Sequence, residues 1–431
     1  MLTPAEIEFI RGNRAADTSR LLLNAGKKGG QKALNIPLCV KCIEARRKIG
    51  QKIPLWYAND RLVYPLPLSV EQCSSQAAAL YKQNLIKGLL PGKAGATKLI
   101  TADLTGGMGV DSYFISRIAE KHFYIERNGL LCDAAQYNFG ELGAKNITVL
   151  HTECLPGNTG LFNTLSAGNP ILLYIDPARR SSTNARVISL KEYEPDLTLL
   201  KEKLLQIAPY LLVKISPMAD IKQNLHLLPE TSEIHIVSVD NECKELLFLL
   251  KRPDAEPEGT SEQGDLPDIY AVNIDTGEER NSPVSRFHFT LREEAQATAE
   301  YTVTLGKYLY EPNKSILKSG AYKLVSQRTG LKKLAPSTHL YTGDAIVPEF
   351  PGRLFRVTDV RDFNKKELKE VARQYPKADI SARNLPLDTN SLKKLSGIKD
   401  GGLHHIFAVT LSNGEKKIIV CEKSGPRLPL K

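Results

Sequence analysis

The spacing of apolar residues changes along the 431-residue chain. In residues 1–95 they recur at helical spacing in AEIEFIRGN (5–13), in CIEARRKIG (42–50) and over 69–90. In the segment 69–90 Ser69 is the predicted N-cap, and Gly88 lies near the predicted end. The prolines between the two segments predict an extended or looped connection. Residues 1–95 are therefore predicted to form a helical region.

From about residue 97, short apolar segments alternate with helix-like segments. The predicted strands lie within TKLITADLTGG (97–107), HFYIERN (122–128), ITVLHTE (147–153), ILLYIDPAR (171–179) and YLLVKISP (210–217). Helices are predicted between them, over 110–121, 130–143 and 196–209. This alternation predicts right-handed crossovers and a mostly parallel sheet. IHIVSV (234–239) and ELLFLL (245–250) are predicted to form an antiparallel hairpin at its edge.

A change of composition separates this sheet from the rest of the chain. Residues 253–268 carry six acidic and no basic residues, with three prolines and no aromatic residue, which predicts a linker. Strands and helices alternate again beyond it, with a helix predicted around 314–328. The chain is predicted to close with a hairpin that turns at Asn413 and Gly414.

Composition excludes several classes of protein. Charged residues are 25% and hydrophobic residues 42% of the chain, which is typical of a globular protein. The apolar runs are far shorter than a membrane span requires, and Glu6 and Glu8 interrupt the position of a signal peptide. Seven cysteines spread thinly over the chain do not indicate a disulfide framework. We therefore expect a cytoplasmic protein with no membrane partner. Cys39 and Cys42 form a lone CxxC, which predicts no metal site.

The net charge of +10 is distributed unevenly. Residues 1–95 hold 15 basic and 6 acidic side chains, a net charge of +9. Residues 96–329 have a net charge of −7, and residues 330–431 a net charge of +8. An acidic core module between two basic regions suggests surfaces that attract a polyanion, for which nucleic acid is the main candidate. The alternative is that the basic residues serve only solubility.

Acidic residues recur at the carboxyl ends of four successive predicted strands. Their intervals of 23, 27 and 23 residues each match about one strand–helix unit. In an open parallel sheet these strand ends line one rim, where ligands bind. Carboxylates scattered over solvent-facing helices would not show this recurrence. The four residues are Asp103, Glu126, Glu153 and Asp176.

The first of these acids opens a glycine-rich loop, DLTGGMGVD (103–111). Its glycines permit a tight turn and a close approach of the backbone to a ligand. The G-x-G-x-x-G pattern of dinucleotide sites fails at Ser112, and Asp103 would repel a pyrophosphate. A nicotinamide-dependent enzyme is therefore disfavoured, whereas a ligand that carries a positive charge fits. Glu126 is placed to accept hydrogen bonds from ribose hydroxyls.

These motifs resemble, in order, those of class I S-adenosylmethionine-dependent methyltransferases. The residues that carry the resemblance are DLTGGMGVD, ERN (126–128), TEC (152–154) and DPARR (176–180). The chain more closely resembles bacterial methyltransferases with a C-terminal THUMP-like domain, through PLWYAND, EQCSSQ, VKISPMADI and GLHHIFAV. The resemblance implies a Rossmann-like α/β sheet and S-adenosyl-L-methionine as cofactor. THUMP domains in general are linked to RNA binding, so it also implies an RNA substrate, tRNA or rRNA.

The resemblance also implies domains and cofactor contacts. The domains would be a helical N-terminal region (1–95), a methyltransferase domain (96–252), a small ferredoxin-like α+β domain (269–340) and a THUMP-like domain (341–431). The cofactor-binding residues would be Asp103, Thr105, Gly106, Gly107, Gly109, Asp111, Glu126, Arg127, Glu153 and Cys154. Of these, Cys154 is expected to pack near the adenine and not to act as a nucleophile.

The catalytic residues implied are Asp176, Pro177, Arg179 and Lys214. Related amine methyltransferases have Asp/Asn-Pro-Pro-aromatic at this strand end. Here the second proline and the aromatic residue are absent, which argues against an exocyclic amine acceptor.

Three basic residues near this motif have alternative interpretations. Arg179 and Arg180 are predicted to meet a phosphate or carboxylate, or to form structural ion pairs. Lys214 either sits over the active site or pairs with Asp176 or Asp220.

Carbon-5 methyltransferases with a similar motif place a nucleophilic cysteine near the strand end at Lys214. This sequence has none there, so covalent carbon-5 chemistry is disfavoured. Two alternative functions remain open. One is a methyltransferase of a small molecule or protein. The other is an RNA-binding protein whose methyltransferase domain is degenerate.

Overall fold

A computed structural model gives the arrangement of residues 2–27, 34–89, 99–179, 190, 193–253, 266–277 and 284–423. The chain divides into two units. The first contains residues 1–234 and 244–265, and the second contains residues 235–243 and 266–431. Most of the predicted linker, residues 254–265, lies outside the described residues.

The first unit begins with six helices, which agrees with the predicted helical region. They are α1 (Pro4–Gly12), α2 (Thr18–Lys27), α3 (Ile36–Lys52), α4 (Pro54–Tyr57), α5 (Pro67–Gln72) and α6 (Gln76–Gly88). The connection predicted as extended or looped, however, contains α4 and the start of α5. The prolines of the predicted loop start two of these helices, because the fixed φ of proline suits the first helical position.

The single helix predicted over 69–90 is wrong. Ser69 lies inside α5, and the chain is extended at Cys73 and Ser75 before α6 begins. Ser75 is the N-cap of α6 and accepts a hydrogen bond from the Ala78 N–H at 3.3 Å. The Ser74 hydroxyl donates to Asp111 at 2.7 Å, a contact that holds the chain out of the helix at this point. The predicted end at Gly88 is confirmed.

Strands and helices then alternate as predicted. The strands are β1 (Ile100–Asp103), β2 (Lys121–Glu126), β3 (Ile147–His151), β4 (Leu172–Ile175), β5 (Ala178–Arg179), β6 (Tyr193–Glu194), β7 (Tyr210–Ile215), β8 (Thr231–Val239) and β9 (Glu242–Lys251). The helices are α7 (Val110–Ser116), α8 (Gly129–Glu141), α9 (Thr159–Gly168), α10 (Leu197–Ile207) and α11 (Ile221–Leu227).

The main sheet of the first unit has the order β3-β2-β1-β4-β7-β9. The pairs β3–β2, β2–β1, β1–β4 and β4–β7 are parallel, and β9 is antiparallel to β7. The predicted α/β fold with a mostly parallel sheet is confirmed. The order reverses between β1 and β4, so a crevice is expected outside the carboxyl ends of these two strands.

The N-terminal helices share a hydrophobic core with the helices that cover the sheet. Trp56 is fully buried, and its ring meets the Tyr113 ring edge-on at a centroid distance of 6.2 Å. The cluster includes Ala45, Ile49, Ile53, Trp56, Tyr64, Val70 and Ala79 from the N-terminal region, with Tyr113, Phe114, Tyr124 and Phe139 from the sheet region. The predicted helical region 1–95 therefore shares one core with α7, β2, α8 and β3 of the predicted region 96–252.

The second unit has a seven-stranded sheet of order β13-β14-β12-β15-β18-β17-β16. Two strands precede this sheet in the chain, β10 (Asp268–Ile274) and β11 (Val284–Thr290). The strands of the sheet are β12 (Tyr308–Pro312), β13 (Lys332–Lys333), β14 (Tyr341–Gly343), β15 (Gly352–Asp362), β16 (Asp379–Arg383), β17 (His404–Thr410) and β18 (Lys416–Lys423). The helices are α12 (Leu291–Gln296), α13 (Lys314–Ser319), α14 (Tyr322–Thr329), α15 (Lys365–Gln374) and α16 (Thr389–Ser396).

Three details of the second unit bear on the sequence predictions. The helix predicted around 314–328 is two helices, because Gly320 has a φ of 85° and ends α13. The hairpin predicted at Asn413-Gly414 is confirmed, and Gly414 has a φ of 87°. The hairpin of β8 and β9 is not a sheet edge, since β10 lies beside β8.

Candidate active site

The four acids predicted at strand ends line a single cavity of about 520 Å³ in the first unit. Asp103 and Glu126 are the last residues of β1 and β2. Glu153 and Asp176 follow β3 and β4 by two residues and one residue. The parallel sheet therefore brings together side chains that are up to 73 positions apart in the sequence.

The glycine loop after β1 requires glycine at two positions. A Cβ on Gly106 would lie 2.2 Å from the Tyr124 ring. Gly109 has a φ of 80°, and a Cβ there would lie 2.7 Å from the Phe139 ring. The Gly106 N–H donates to the Ile125 carbonyl at 2.7 Å, which ties the loop to β2. The loop thus brings peptide groups to the cavity wall, where a larger residue would not fit.

Glu126 anchors the same loop, a role that the sequence did not predict. One carboxylate oxygen accepts from the Gly107 N–H at 2.9 Å, and the other accepts from the Asn128 N–H at 2.8 Å. The Tyr124 hydroxyl donates to the Gly107 carbonyl at 2.6 Å. Each carboxylate oxygen retains a further acceptor position. The predicted hydrogen bonds to ribose hydroxyls are compatible with this geometry and stay a prediction.

Asp103 is almost fully buried at the floor of the cavity. Its carboxylate accepts from the Thr105 N–H at 3.0 Å and from the Ser112 hydroxyl at 2.6 Å. Burial raises the pKa of Asp103 to about 7, although these two hydrogen bonds act in the opposite direction. A ligand with a positive charge nearby would favour the ionised form.

Asp111, predicted to bind the cofactor, belongs to a buried network. Its carboxylate accepts from the Ser74 hydroxyl at 2.7 Å and from the Tyr174 hydroxyl at 2.9 Å. The Lys82 ammonium lies 3.2 Å from its other oxygen. Burial alone would raise the pKa of Asp111, but the charges of Lys82 and Lys214 and the two hydrogen bonds together hold the pKa below its ordinary value.

Lys82 is the centre of this network and was missed in the sequence. Its side chain has no exposed surface, and its ammonium donates to both oxygens of Glu245 on β9 at 2.8 Å. It therefore joins α6 of the N-terminal region to the sheet. A signal was present, because Lys82 lies four residues from both Ala78 and Ile86 and so shares their buried helix face.

Asp176 and Lys214 form an ion pair in the wall of the cavity. The Asp176 N–H also donates to the Thr105 hydroxyl at 2.7 Å, which links β4 to the glycine loop. Burial would lower the pKa of Lys214, but Asp176 and the other nearby carboxylates hold it above its usual value. Lys214 pairs with Asp176, as one of the two alternatives predicts, and it also lines the cavity, so its catalytic role stays a prediction.

The residues after Asp176 are only partly described. Pro177 is buried and does not line the cavity, whereas Ala178 does. Arg179 lies in β5, which pairs with β6. The predicted roles of the Arg179 side chain and of Arg180 fall outside the described residues.

At the third strand the cavity is bordered by an ion pair and a buried thiol. Arg127 donates to Glu153 at 3.0 Å and lies 3.4 Å from Glu194. Its side chain is 53% exposed, so solvent screens this pair. Burial raises the pKa of Cys154 to about 12, so the thiol stays protonated. This agrees with the expectation that Cys154 packs and does not react.

The N-terminal region supplies a wall of the cavity, which the sequence did not reveal. The segment between α5 and α6 was predicted as helix interior, but its run of small polar residues, EQCSSQ, was the available signal. The lining residues from this region are Leu66, Ser69, Gln72, Cys73 and Ser74.

The cavity is strongly acidic. Among its described lining residues there are six carboxylates and two cations, Arg127 and Lys214. The carboxylates are Asp103, Asp111, Glu126, Glu153, Asp176 and Glu194. This imbalance favours a ligand with a positive charge. The described residues contain no group of three His, Cys, Asp or Glu side chains that would hold a metal ion.

Similarity to known proteins decides the family. Residues 308–351 match the model of a ferredoxin-like domain, and residues 352–423 match that of a THUMP domain-like family. The crystal structure of a "putative methyltransferase from Porphyromonas gingivalis W83" is 30% identical, with 98% of each chain covered and a TM-score of 0.81. The chain belongs to this methyltransferase family with a C-terminal THUMP-like domain.

Two other solved structures cover only part of the chain. A "putative methyltransferase" from Streptococcus mutans in complex with SAH is 13% identical over 40% of this chain and 96% of its own, with a TM-score of 0.28. An "rRNA Methylase" from Streptococcus thermophilus is 12% identical over 40% of this chain and 94% of its own, with a TM-score of 0.27. None of the curated proteins compared with the chain matched it. No helix among the described residues is long and apolar enough to cross a membrane.

Proposed function

We propose that the protein transfers a methyl group from S-adenosyl-L-methionine to structured RNA, tRNA or rRNA. The observation that carries the proposal is the acidic cavity at the strand ends, with a glycine loop along its wall. Its volume of about 520 Å³ falls within the range of small-molecule sites. Membership of the methyltransferase family agrees with this assignment.

The residues present fit this cofactor. When bound, it supplies a methyl group already activated by the positive charge on sulfur. Carboxylates around the cavity would attract that charge, and Asp103 is the most deeply buried of them. Glu126 lies beside the loop, where it would accept from the ribose, and Cys154 would pack against the adenine. Gly106 and Gly107 would let the backbone approach the ligand closely, while their N–H groups hold the loop against β2 and Glu126.

At the acceptor end, Lys214 is expected to position the RNA group and not to remove a proton. Its pKa lies above the usual value, so the ammonium keeps its charge and donates hydrogen bonds. The Asp176 carboxylate is already engaged by that ammonium. An acceptor with an oxygen next to the methylated atom fits this pair better than an exocyclic amine, which needs a free carboxylate. Positioning alone can supply much of the rate of such a displacement.

RNA is proposed as substrate from the charge distribution and the C-terminal domain. The chain is basic at both ends, with net charges of +9 over 1–95 and +8 over 330–431. Residues 352–423 match a THUMP domain-like family, and THUMP domains in general are linked to RNA binding. Phosphate contacts would supply affinity that falls steeply with salt.

Calorimetric titration with S-adenosyl-L-methionine tests the cofactor. Asp103→Asn keeps the size of the side chain and removes its charge, so we expect affinity to fall about tenfold or more. Asp133→Asn, an exposed carboxylate on α8 that does not line the cavity, is the matched control. Equal binding by the wild type and both variants would contradict the assignment.

Mass spectrometry of modified nucleosides tests the substrate. We expect one methylated nucleoside to disappear from tRNA or rRNA in cells without the gene, and to return with the wild-type gene. It should not return with Lys214→Met, whose cofactor affinity is expected not to fall because the change removes a positive charge from the acidic cavity. An unaltered set of nucleosides, together with normal cofactor binding, would favour a small-molecule or protein substrate.

A further inference from the structure

A cluster of charged side chains surrounds Glu311 in the second unit. Glu311 lies on β12 and is 1% exposed. One carboxylate oxygen accepts from Arg353 through Nε at 3.1 Å and also through Nη2. The other accepts from Arg383 Nη2 at 2.5 Å. Lys314, three residues further along the chain, is partly buried beside them and begins α13.

The charges of this cluster do not balance, because one carboxylate faces three cations. Lys314 Nζ makes no hydrogen bond or ion pair with any residue that the structure describes. Burial and the charges of Arg383 and Arg353 lower the pKa of Lys314, and Glu311 only partly opposes them. A partly buried cation without a partner is costly. The arrangement therefore lacks an anion.

The neighbouring histidines do not change this balance. His405 donates to or accepts from the Ser381 hydroxyl at 2.9 Å, and burial lowers its pKa to about 4. Burial likewise lowers the pKa of His339 to about 4. Both rings are neutral at physiological pH, so the positive charge of the cluster comes from the lysine and the two arginines.

The guanidinium groups are held in place and keep free donors. Glu311 fixes Arg353 through Nε and Nη2, which leaves Nη1 without an acceptor among the described residues. The Arg353 side chain is 45% exposed, so the cluster opens to solvent on this side. Arg383 is fixed further by the Ala382 carbonyl at 3.1 Å. Rigid, planar donors of this kind match the oxygen atoms of a phosphate.

We propose that Lys314, Arg353 and Arg383 form a binding site for a backbone phosphate of RNA. The inference rests on the proposed RNA substrate and gives it a contact in the second unit. A polyanion is favoured over a small free anion because the sequence around the site, residues 330–431, has a net charge of +8. The site also lies where the two family models meet, at residues 351 and 352, so its cations come from both domains.

The test is RNA binding by the full chain, without cofactor, at several NaCl concentrations. Fluorescence anisotropy with labelled bulk tRNA compares the wild type with Lys314→Gln. We expect affinity to fall about tenfold and the slope of log affinity against log salt to become shallower by about 0.7–1, since one phosphate contact is lost. Lys314→Arg keeps the charge and should restore most of the affinity.

The matched control is Lys366→Gln, which removes one exposed lysine from α15 and changes net charge equally. Equal RNA affinity and salt slope for Lys314→Gln and Lys366→Gln would overturn the proposal. Binding of S-adenosyl-L-methionine should be the same in all variants. Weaker RNA binding by Lys314→Gln would support the site even if no methyl transfer were found, so the two proposals fail separately.

A free anion is distinguished by thermal unfolding with inorganic phosphate. If phosphate stabilises the wild type but not Lys314→Gln, and tRNA affinity is equal in both, the ligand is a small anion and the RNA assignment is overturned. Absence of any binding of labelled tRNA and of labelled rRNA by the wild type would overturn this inference and the RNA substrate together. Cofactor binding would still stand on its own test.

Discussion

Each unit of the protein contains a group of charged side chains built around buried carboxylates, but the two groups have opposite sign. In the first unit six carboxylates and two cations line the cavity. In the second unit one carboxylate, Glu311, faces two arginines and a lysine. The first arrangement suits a cationic sulfonium compound and the second suits a phosphate. The charge that each group lacks is therefore informative about its ligand.

The buried groups also differ in how their charges are compensated. Lys82 neutralises Asp111 and Glu245 inside the first unit, where no solvent reaches it. Around Glu311 the buried central charge is negative, and one of the cations that compensate it, Arg353, remains partly exposed. Removal of a central residue should consequently cost more free energy in the first unit, because Asp111 and Glu245 are both buried and would be only poorly hydrated.

The largest expected effect comes from Lys82→Met. The change leaves Asp111 and Glu245 buried without a cation, so the free energy of unfolding should fall by about 3–5 kcal/mol. Chemical denaturation measures it. Lys87→Met, an exposed lysine on the same helix, is the control and should stay within about 0.5 kcal/mol of wild type. A similar loss in both variants would refute a special role for the buried ammonium.

Glu311→Gln is expected to have a smaller effect on the second unit. It removes the carboxylate that compensates Arg353 and Arg383, and solvent at Arg353 reduces the cost to about 3 kcal/mol or less. Inorganic phosphate should restore part of the loss in thermal unfolding experiments, since it supplies the missing negative charge. The same phosphate should not restore Lys82→Met. If phosphate stabilised Glu311→Gln and Lys82→Met equally, the two charged groups would not differ in the sign of the charge that they lack.

Cofactor affinity should depend on pH through Asp103. Burial raises the pKa of Asp103 to about 7, and a cationic ligand prefers the ionised form. Affinity for S-adenosyl-L-methionine should therefore increase between pH 6 and pH 8, by about tenfold at most. Calorimetry at several pH values measures this, and Asp103→Asn should show a flat profile. A flat profile in the wild type would place the titrating group elsewhere.

The same residue should affect stability in the opposite direction. Because its pKa is raised on folding, the contribution of Asp103 is present below its ordinary pKa near 4 and is lost as the pH rises through about 7. Relative to wild type, Asp103→Asn should therefore be more stable at pH 8 than at pH 5. Loss of stability at pH 8 would show that the carboxylate supports the fold.

The smallest effect is expected from Arg127→Gln. The side chain is 53% exposed, and its pairs with Glu153 and Glu194 are screened by water. The free energy of unfolding should change by less than about 1 kcal/mol. Chemical denaturation of Arg127→Gln alongside Lys82→Met measures the smallest and the largest expected changes in the free energy of unfolding. A large loss would mean that this surface pair closes the cavity wall.

The sequence predicted the acidic residues that line the cavity better than it predicted the contacts that hold the surrounding segments in place. The positions of the acids at strand ends follow from strand–helix alternation, which is a local pattern. The parallel sheet then brings these strand ends together at one edge. The break before α6 depends on Ser74 bonding to Asp111, 37 positions away. No local pattern reports such a partner, so a continuous helix was predicted.

The same limit applies to the charged clusters. Glu311 lies just before the helix predicted around 314–328, but Arg353 and Arg383 lie 42 and 72 positions further on. Asp111 was assigned to the cofactor from its motif, whereas its observed partners include Lys82, 29 positions earlier. Charge counts along the chain gave the sign of each region. They did not indicate which residues would meet, because pairing is decided by tertiary packing.

The shared core between the N-terminal helices and the sheet has a practical consequence for dissecting the protein. A fragment starting at residue 96, the boundary that sequence motifs suggest, would lack Lys82 and the ring of Trp56. It would expose the side of the core that contains Tyr113 and Phe139 to water. It would also leave Asp111 and Glu245 buried without the lysine that pairs with them. Expression trials of the first unit should therefore include the helices of residues 1–95, and fragments that lack them are expected to aggregate.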